Sequence, residues 1–85
     1  MKDKILDFYD GNLSSGLLFA DGLDDAIIGI CPSSLRVVYS RTKVIEVFIK
    51  DGMDELEAEE FAEFNTFNAY VGEQTPIWVD DLKHI

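Results

Sequence analysis

The segment SRTKVIEVFIKDGMDELEAEEFAE, residues 40–63, can be threaded in two ways. Its first half, RTKVIEVFIK (41–50), is rich in β-branched residues that suit a strand. Yet Val44 and Phe48, like Ile45 and Ile49, stand one helical turn apart and would form a buried stripe. The flanking residues favour the helix. Ser40 is a good N-cap, and Gly52 is a good terminator just past the last periodic residue. Asp54 and Glu57 then form a D-x-x-E capping box that starts a second helix. Met53, between stop and start, can pack back on both. Two helices are predicted, at about 41–50 and 55–70, the second ending before Gly72.

Outward from this pair, AIIGIC (26–31), bounded by Pro32, and RVVYS (36–40) read as strands joined by a hairpin loop over 32–35. LLFADGLDD (17–25) opens with an apolar run, read as a strand near 17–20, and ends in an Asp21-Gly22 turn. PIWVDD (76–81) supplies a closing strand near 77–81, which Pro76 places at an edge or a strand start. Residues 1–16 carry Ile5, Leu6, Phe8 and Tyr9 at rough helical spacing and read as a short helix or an ordered tail. The fold expected is α+β: a small, mainly antiparallel sheet (17–20, 26–31, 36–40, 77–81) with both helices packed on it. A single domain over 1–85, with its core in 17–81, is the matching organisation.

The chain has 85 residues, 47% of them hydrophobic and ten of them aromatic, which excludes a disordered chain. Cys31 is the single cysteine and His84 the single histidine, so neither an internal disulfide nor a zinc cluster is expected. The start, MKDKILDFYDG, does not read as a signal peptide, and AIIGIC is far too short to span a bilayer. These features fit a reducing cytoplasm.

Net charge is −10, and it is unevenly placed. No Lys or Arg lies between Lys50 and Lys83, an interval that holds ten acids; the seven acids outside it balance the seven bases. Residues 36–50 are locally positive. This map disfavours direct nucleic-acid binding, which needs many cations, and an anionic membrane for the same reason. It permits a cationic protein partner, and it also keeps a small protein soluble.

With Phe61 at the centre of the inner arc of the second helix, Ala58, Ala62, Phe64, Ala69 and Val71 fall around it, at roughly 100° per residue. Glu55, Glu59 and Glu63 then form an outward row. Leu56 and Phe67 flank the arc beyond Glu60, either as helix–helix core or as a self-association or partner edge. Asn65 and Asn68 project into the core-facing arc, where they either bond loop backbone or line a polar pocket.

At DGLDDAIIG (21–29), VVYSRTKVIEVFIKDGM (37–53), EAEEFAEFN (57–65) and AYVGEQTPIWV (69–79), the chain resembles a small family of uncharacterised tailed-phage proteins. The resemblance covers about residues 17–79, and its most specific parts are Glu63-Phe64-Asn65 and Ala69 to Pro76. Ser40 stands where that family more often has Asp, and both residues cap helices. The resemblance implies a phage protein acting in host bacterial cytoplasm, and it carries no catalytic residue across.

No nucleophile–base pair is apparent. Cys31 reads as a small core residue, and the spacing of Asp21, Asp24 and Asp25 suits a turn and cap better than a cation loop. No catalytic residue, cofactor or metal is expected, and the protein is read as not an enzyme. Two functional readings remain. The first is an inhibitor or nucleic-acid mimic that binds a basic host protein through Glu55, Glu59, Glu60, Glu63, Leu56 and Phe67. The second is an oligomeric nucleotide sponge. There Arg36, Arg41 and Lys43 would meet phosphates, Tyr39, Tyr70 or Trp78 would stack on a base, and Asn65 and Asn68 would read polar edges. A structural or adaptor role cuts across both, with Arg41, Lys43 and Lys50 pairing to the acidic helix within the molecule.

Overall fold

The structure, a computed structural model, describes residues 17–81. The short helix or tail expected in 1–16 lies outside the described residues. A 3-10 turn at Asp24–Ala26 leads into β1 (Ile27–Cys31) and β2 (Arg36–Ser40); α1 (Arg41–Lys50) and α2 (Glu55–Ala62) follow. A π turn (Glu63–Phe67) extends α2, and β3 (Ile77–Val79) closes the described chain. This is the expected small α+β fold.

β2 is the central strand: Val37 and Tyr39, on one face, are fully buried apolar residues, and the polar Ser40 at its end is buried as well. β1 pairs with it antiparallel, Ile30 opposite Val37 and Cys31 opposite Arg36. The register slips by one residue between Ile27 and Gly29, a β-bulge. β3 pairs with β2 in parallel, Val38 opposite Ile77 and Tyr39 opposite Trp78. The sheet is therefore mixed rather than mainly antiparallel. A parallel pairing needs a long crossover, which residues 41–76 provide.

Leu17–Ala20 does not form the fourth strand that its apolar run suggests. Its backbone groups are satisfied elsewhere. The Ala20 N–H donates to the Tyr39 hydroxyl (2.7 Å), and the Ala20 carbonyl accepts from Leu23 N–H (3.2 Å) across the Asp21-Gly22 turn. Leu17 and Leu23 still reach the core. The segment packs as an apolar strap tied to β2 by one side chain instead of by a ladder.

Both helix starts obey the sequence. Ser40 Oγ accepts from Lys43 N–H (3.2 Å), and Asp54 and Glu57 close a complete capping box. α1 ends in a Schellman motif: Met53 N–H reaches Phe48 O (3.1 Å) and Gly52 N–H reaches Ile49 O (3.0 Å), with Gly52 at φ +116°. α1 rests on β2 and the 3-10 turn, with Val44 fully buried; α2 lies against α1.

The second helix departs from its wheel. Ala58 and Ala62, not Phe61, mark the centre of its buried face. Two alanines one turn apart bring the α2 backbone close to α1, leaving room beside them for one bulky contact, Phe61 edge-on to Phe48 at 5.1 Å. The π turn then shifts the helical register. Phe67 turns inward to Trp78 (5.5 Å between ring centres), while Phe64 is left outside. Cys31, expected in the core, instead sits half-buried at the hairpin end, 3.5 Å from the Ser33 hydroxyl.

Candidate partner interface

α2 presents two different sides to solvent. On the side facing the start of α1, Glu55, Glu59 and Glu63 line a groove with Arg41, Thr42 and Asp80. The Arg41 Nη2–H donates to Glu63 Oε2 at 2.9 Å, and the guanidinium lies 4.2 Å from the centre of the Phe67 ring. Arg41 is thus held from two sides, and Glu63 carries little unscreened charge. An exposed pair of this kind contributes about 0–1 kcal/mol. All three of the acidic row are exposed, Glu63 with Arg41 beside it.

On the other side α2 and the π turn carry Glu57, Glu60, Phe61, Phe64 and Asn65, grouped with Met53. Phe64 is 77% exposed, Leu56 65% and Phe61 42%. Phe61 and Asn65 are also walls of an adjoining cleft of about 560 Å³. That cleft is bounded by the strap at Leu18, by Phe48 of α1, by Val71 in the loop before β3 and by Trp78 of β3. Asp21 stands at its wall as well, and among the described residues no Lys or Arg lines either surface.

Several expectations change here. Asn65 and Asn68 are exposed, not in the core-facing arc. The Asn68 amide donates to the Glu63 carbonyl (2.7 Å), which serves the end of the π turn, and Asn65 lies on the cleft wall. Leu56 and Phe67 do not form a common edge, since Phe67 is turned toward Trp78 and Leu56 toward solvent.

The residues proposed for a nucleotide are not assembled into one site. Arg36 Nε–H donates to Thr75 O (2.6 Å) at the far end of β2, and Arg41 is engaged by Glu63. Lys43 lies beside Asp25 and Glu46. Tyr39 is fully buried, its ring 4.8 Å from Trp78 and its hydroxyl bonded to Ala20, so it cannot stack on a base. Burial pushes the Tyr39 phenol above its ordinary range, with the Asp24 charge adding to the effect and the Ala20 N–H opposing it. Tyr70 is exposed on the loop that follows the π turn.

The Cys31 thiol is pushed down to about 7, chiefly by the Ser33 hydroxyl and then by Ser34. Among the described residues no group of three or more His, Cys, Asp or Glu side chains is placed to hold a metal ion, and no helix is long and apolar enough to cross a membrane.

Sequence reasoning missed Phe61, Phe64, Val71 and Leu18 as surface residues. One available signal was the Ala58/Ala62 pair, an i,i+4 stripe of small residues that marks a close helix contact. Compared with protein-family models, curated proteins and solved structures, the chain matches none.

Proposed function

We propose that this is a non-catalytic tailed-phage protein that binds a basic host protein in the bacterial cytoplasm and modulates it through the surface of α2. The observation that carries this reading is the coincidence of exposed acids with exposed large apolar side chains on one short helix. Glu55, Glu57, Glu59 and Glu60 alternate with Leu56, Phe61 and Phe64, all exposed. Solvation accounts for the acids, but it does not account for a phenylalanine at 77% exposure beside another at 42%. Clustered apolar surface of this kind marks interaction sites. Acids around it add steering toward a cationic partner and reject acidic ones.

The nucleotide-sponge reading has weaker support, because its cationic and aromatic residues are held apart on different elements. Self-association would bring together two chains of net charge −10, a like-charge cost.

Capture from host lysate tests the proposal. Immobilised wild-type protein should retain a basic host protein, in a manner weakened by salt. The combined variant Glu55→Lys, Glu59→Lys, Glu60→Lys should stay folded and lose it. Retention of the same protein by this variant would refute the acidic-surface reading.

A further inference from the structure

The cleft beside α2 goes one step further in describing the partner. The α2 face and the cleft share Phe61 and Asn65, so they form one continuous surface running from Phe64 to Trp78. Along it the large walls are apolar: Leu18, Phe61, Val71 and Trp78. Acids border it, Glu57 and Glu60 on the α2 face and Asp21 on the cleft wall, and among the described residues no base lines it. A cleft of about 560 Å³ falls within the range of pockets that enclose a ligand group or a pair of side chains.

Two physical requirements follow for an occupant. It must offer apolar side chains, since most of the wall is apolar and only Asp21, Asn65, Thr66 and the Trp78 indole N–H bring polar groups to it. It should also carry positive charge outside those side chains, which complements Asp21 on the cleft wall and Glu57 and Glu60 on the adjoining α2 face and repels an acidic segment.

We infer that the cleft is an anchor site for a cationic segment of the partner protein, which inserts an apolar side chain between Leu18, Phe61, Val71 and Trp78 and sets lysines or arginines over Asp21, Glu57 and Glu60. This rests on the proposed binding of a basic protein and names the form of its contact. Acids bring the segment in and govern the association rate, whereas the buried anchor governs how long it stays. The π turn and the strap serve the site by holding Asn65 and Leu18 at its rim.

Trp78 is the single tryptophan in the chain and lines the cleft, so its fluorescence reports occupancy directly. The probes are short tryptophan-free peptides labelled for anisotropy: one with a leucine–phenylalanine pair flanked by lysines, one of equal charge with the pair replaced by serines, and one with the lysines replaced by glutamines. The lysine-flanked anchor peptide should bind and shift Trp78 emission to the blue. The serine peptide should bind roughly tenfold more weakly, as loss of a buried anchor does, without the emission shift. Val71→Ser, at a position 60% exposed, should weaken the anchor peptide by a similar factor while unfolding as the wild type does.

Equal binding of the anchor and serine peptides with no Trp78 response would overturn the anchor site and leave the acidic-surface reading standing. Equal binding of the glutamine peptide would overturn the requirement for a cationic occupant. Failure of every peptide to bind would overturn both. A dimer in sedimentation analysis that Val71→Ser abolishes would show that a second copy covers the cleft, against the inference.

Discussion

The two helices bury different kinds of residue. α1 hides Val44 completely, with Ile45, Val47 and Phe48 partly covered, and exposes Glu46 and Lys50 with one large apolar residue, Ile49. α2 hides only Ala58 and Ala62 and leaves Leu56, Phe61 and Phe64 to solvent. A helix whose only purpose is to complete a core places its large side chains inward, because each contributes about 1.5–3 kcal/mol when buried. α2 reverses that order. Its small residues are the buried ones; Phe61 is half-packed on Phe48, and Leu56 and Phe64 stand mostly in solvent.

The comparison predicts a graded set of outcomes. The largest effect belongs to the β2–α1 region. Tyr39→Ala should destabilise by about 3–5 kcal/mol in urea unfolding, since it empties the centre of the core and removes the acceptor that ties Ala20 to β2. A loss below about 1 kcal/mol would mean that the core lies elsewhere. Next comes the joint between the helices. Gly52→Ala places a Cβ at φ +116° with nothing within 4 Å of it, so its cost is backbone strain alone, about 1–2 kcal/mol. An unchanged urea midpoint would show that the Schellman end does not set how α2 follows α1.

At the hairpin rim the expected effect is chemical rather than energetic. Cys31 favours its thiolate in the folded protein, so alkylation should reach half its plateau rate near pH 7 and move to the ordinary thiol range in urea. A folded-state profile that already matches the unfolded one would remove the serine hydroxyls as its cause. The smallest effect is expected on α2. Phe64→Ser should change stability by no more than about 0.5 kcal/mol, as substitutions away from packed surface do. A loss of about 2 kcal/mol or more would place Phe64 in the core and break the contrast between the helices.

The parts of this arrangement that were legible in the sequence are those fixed by local backbone chemistry. The Ser40 cap, the Gly52 stop and the Asp54–Glu57 box each depend on groups a few residues apart, so residue type and spacing specify them. The hairpin and the extent of α1 follow from the same kind of signal. What sequence reading could not supply depends on rotation and on distant partners. Whether Phe61 or the Ala58/Ala62 pair faces inward depends on how closely α2 can approach α1. The inward turn of Phe67 depends on a π register shift that no single residue announces. The 17–20 segment had strand composition, but its N–H found a tyrosine hydroxyl nineteen residues away. The acidic row was visible by spacing, although its third member, Glu63, is claimed by Arg41. The apolar half of the site stayed hidden because large apolar residues on a helix ordinarily read as core.

The central proposal is that the exposed apolar residues Leu56 and Phe64 serve a partner and not the fold. The most direct test is to measure, on the same preparations, urea stability and capture from host lysate for wild type and for the double variant Leu56→Ser, Phe64→Ser. The account predicts equal urea midpoints, with a basic host protein retained by the wild type and lost by the variant. A variant that unfolds early, or one that retains the same protein as the wild type, would contradict it.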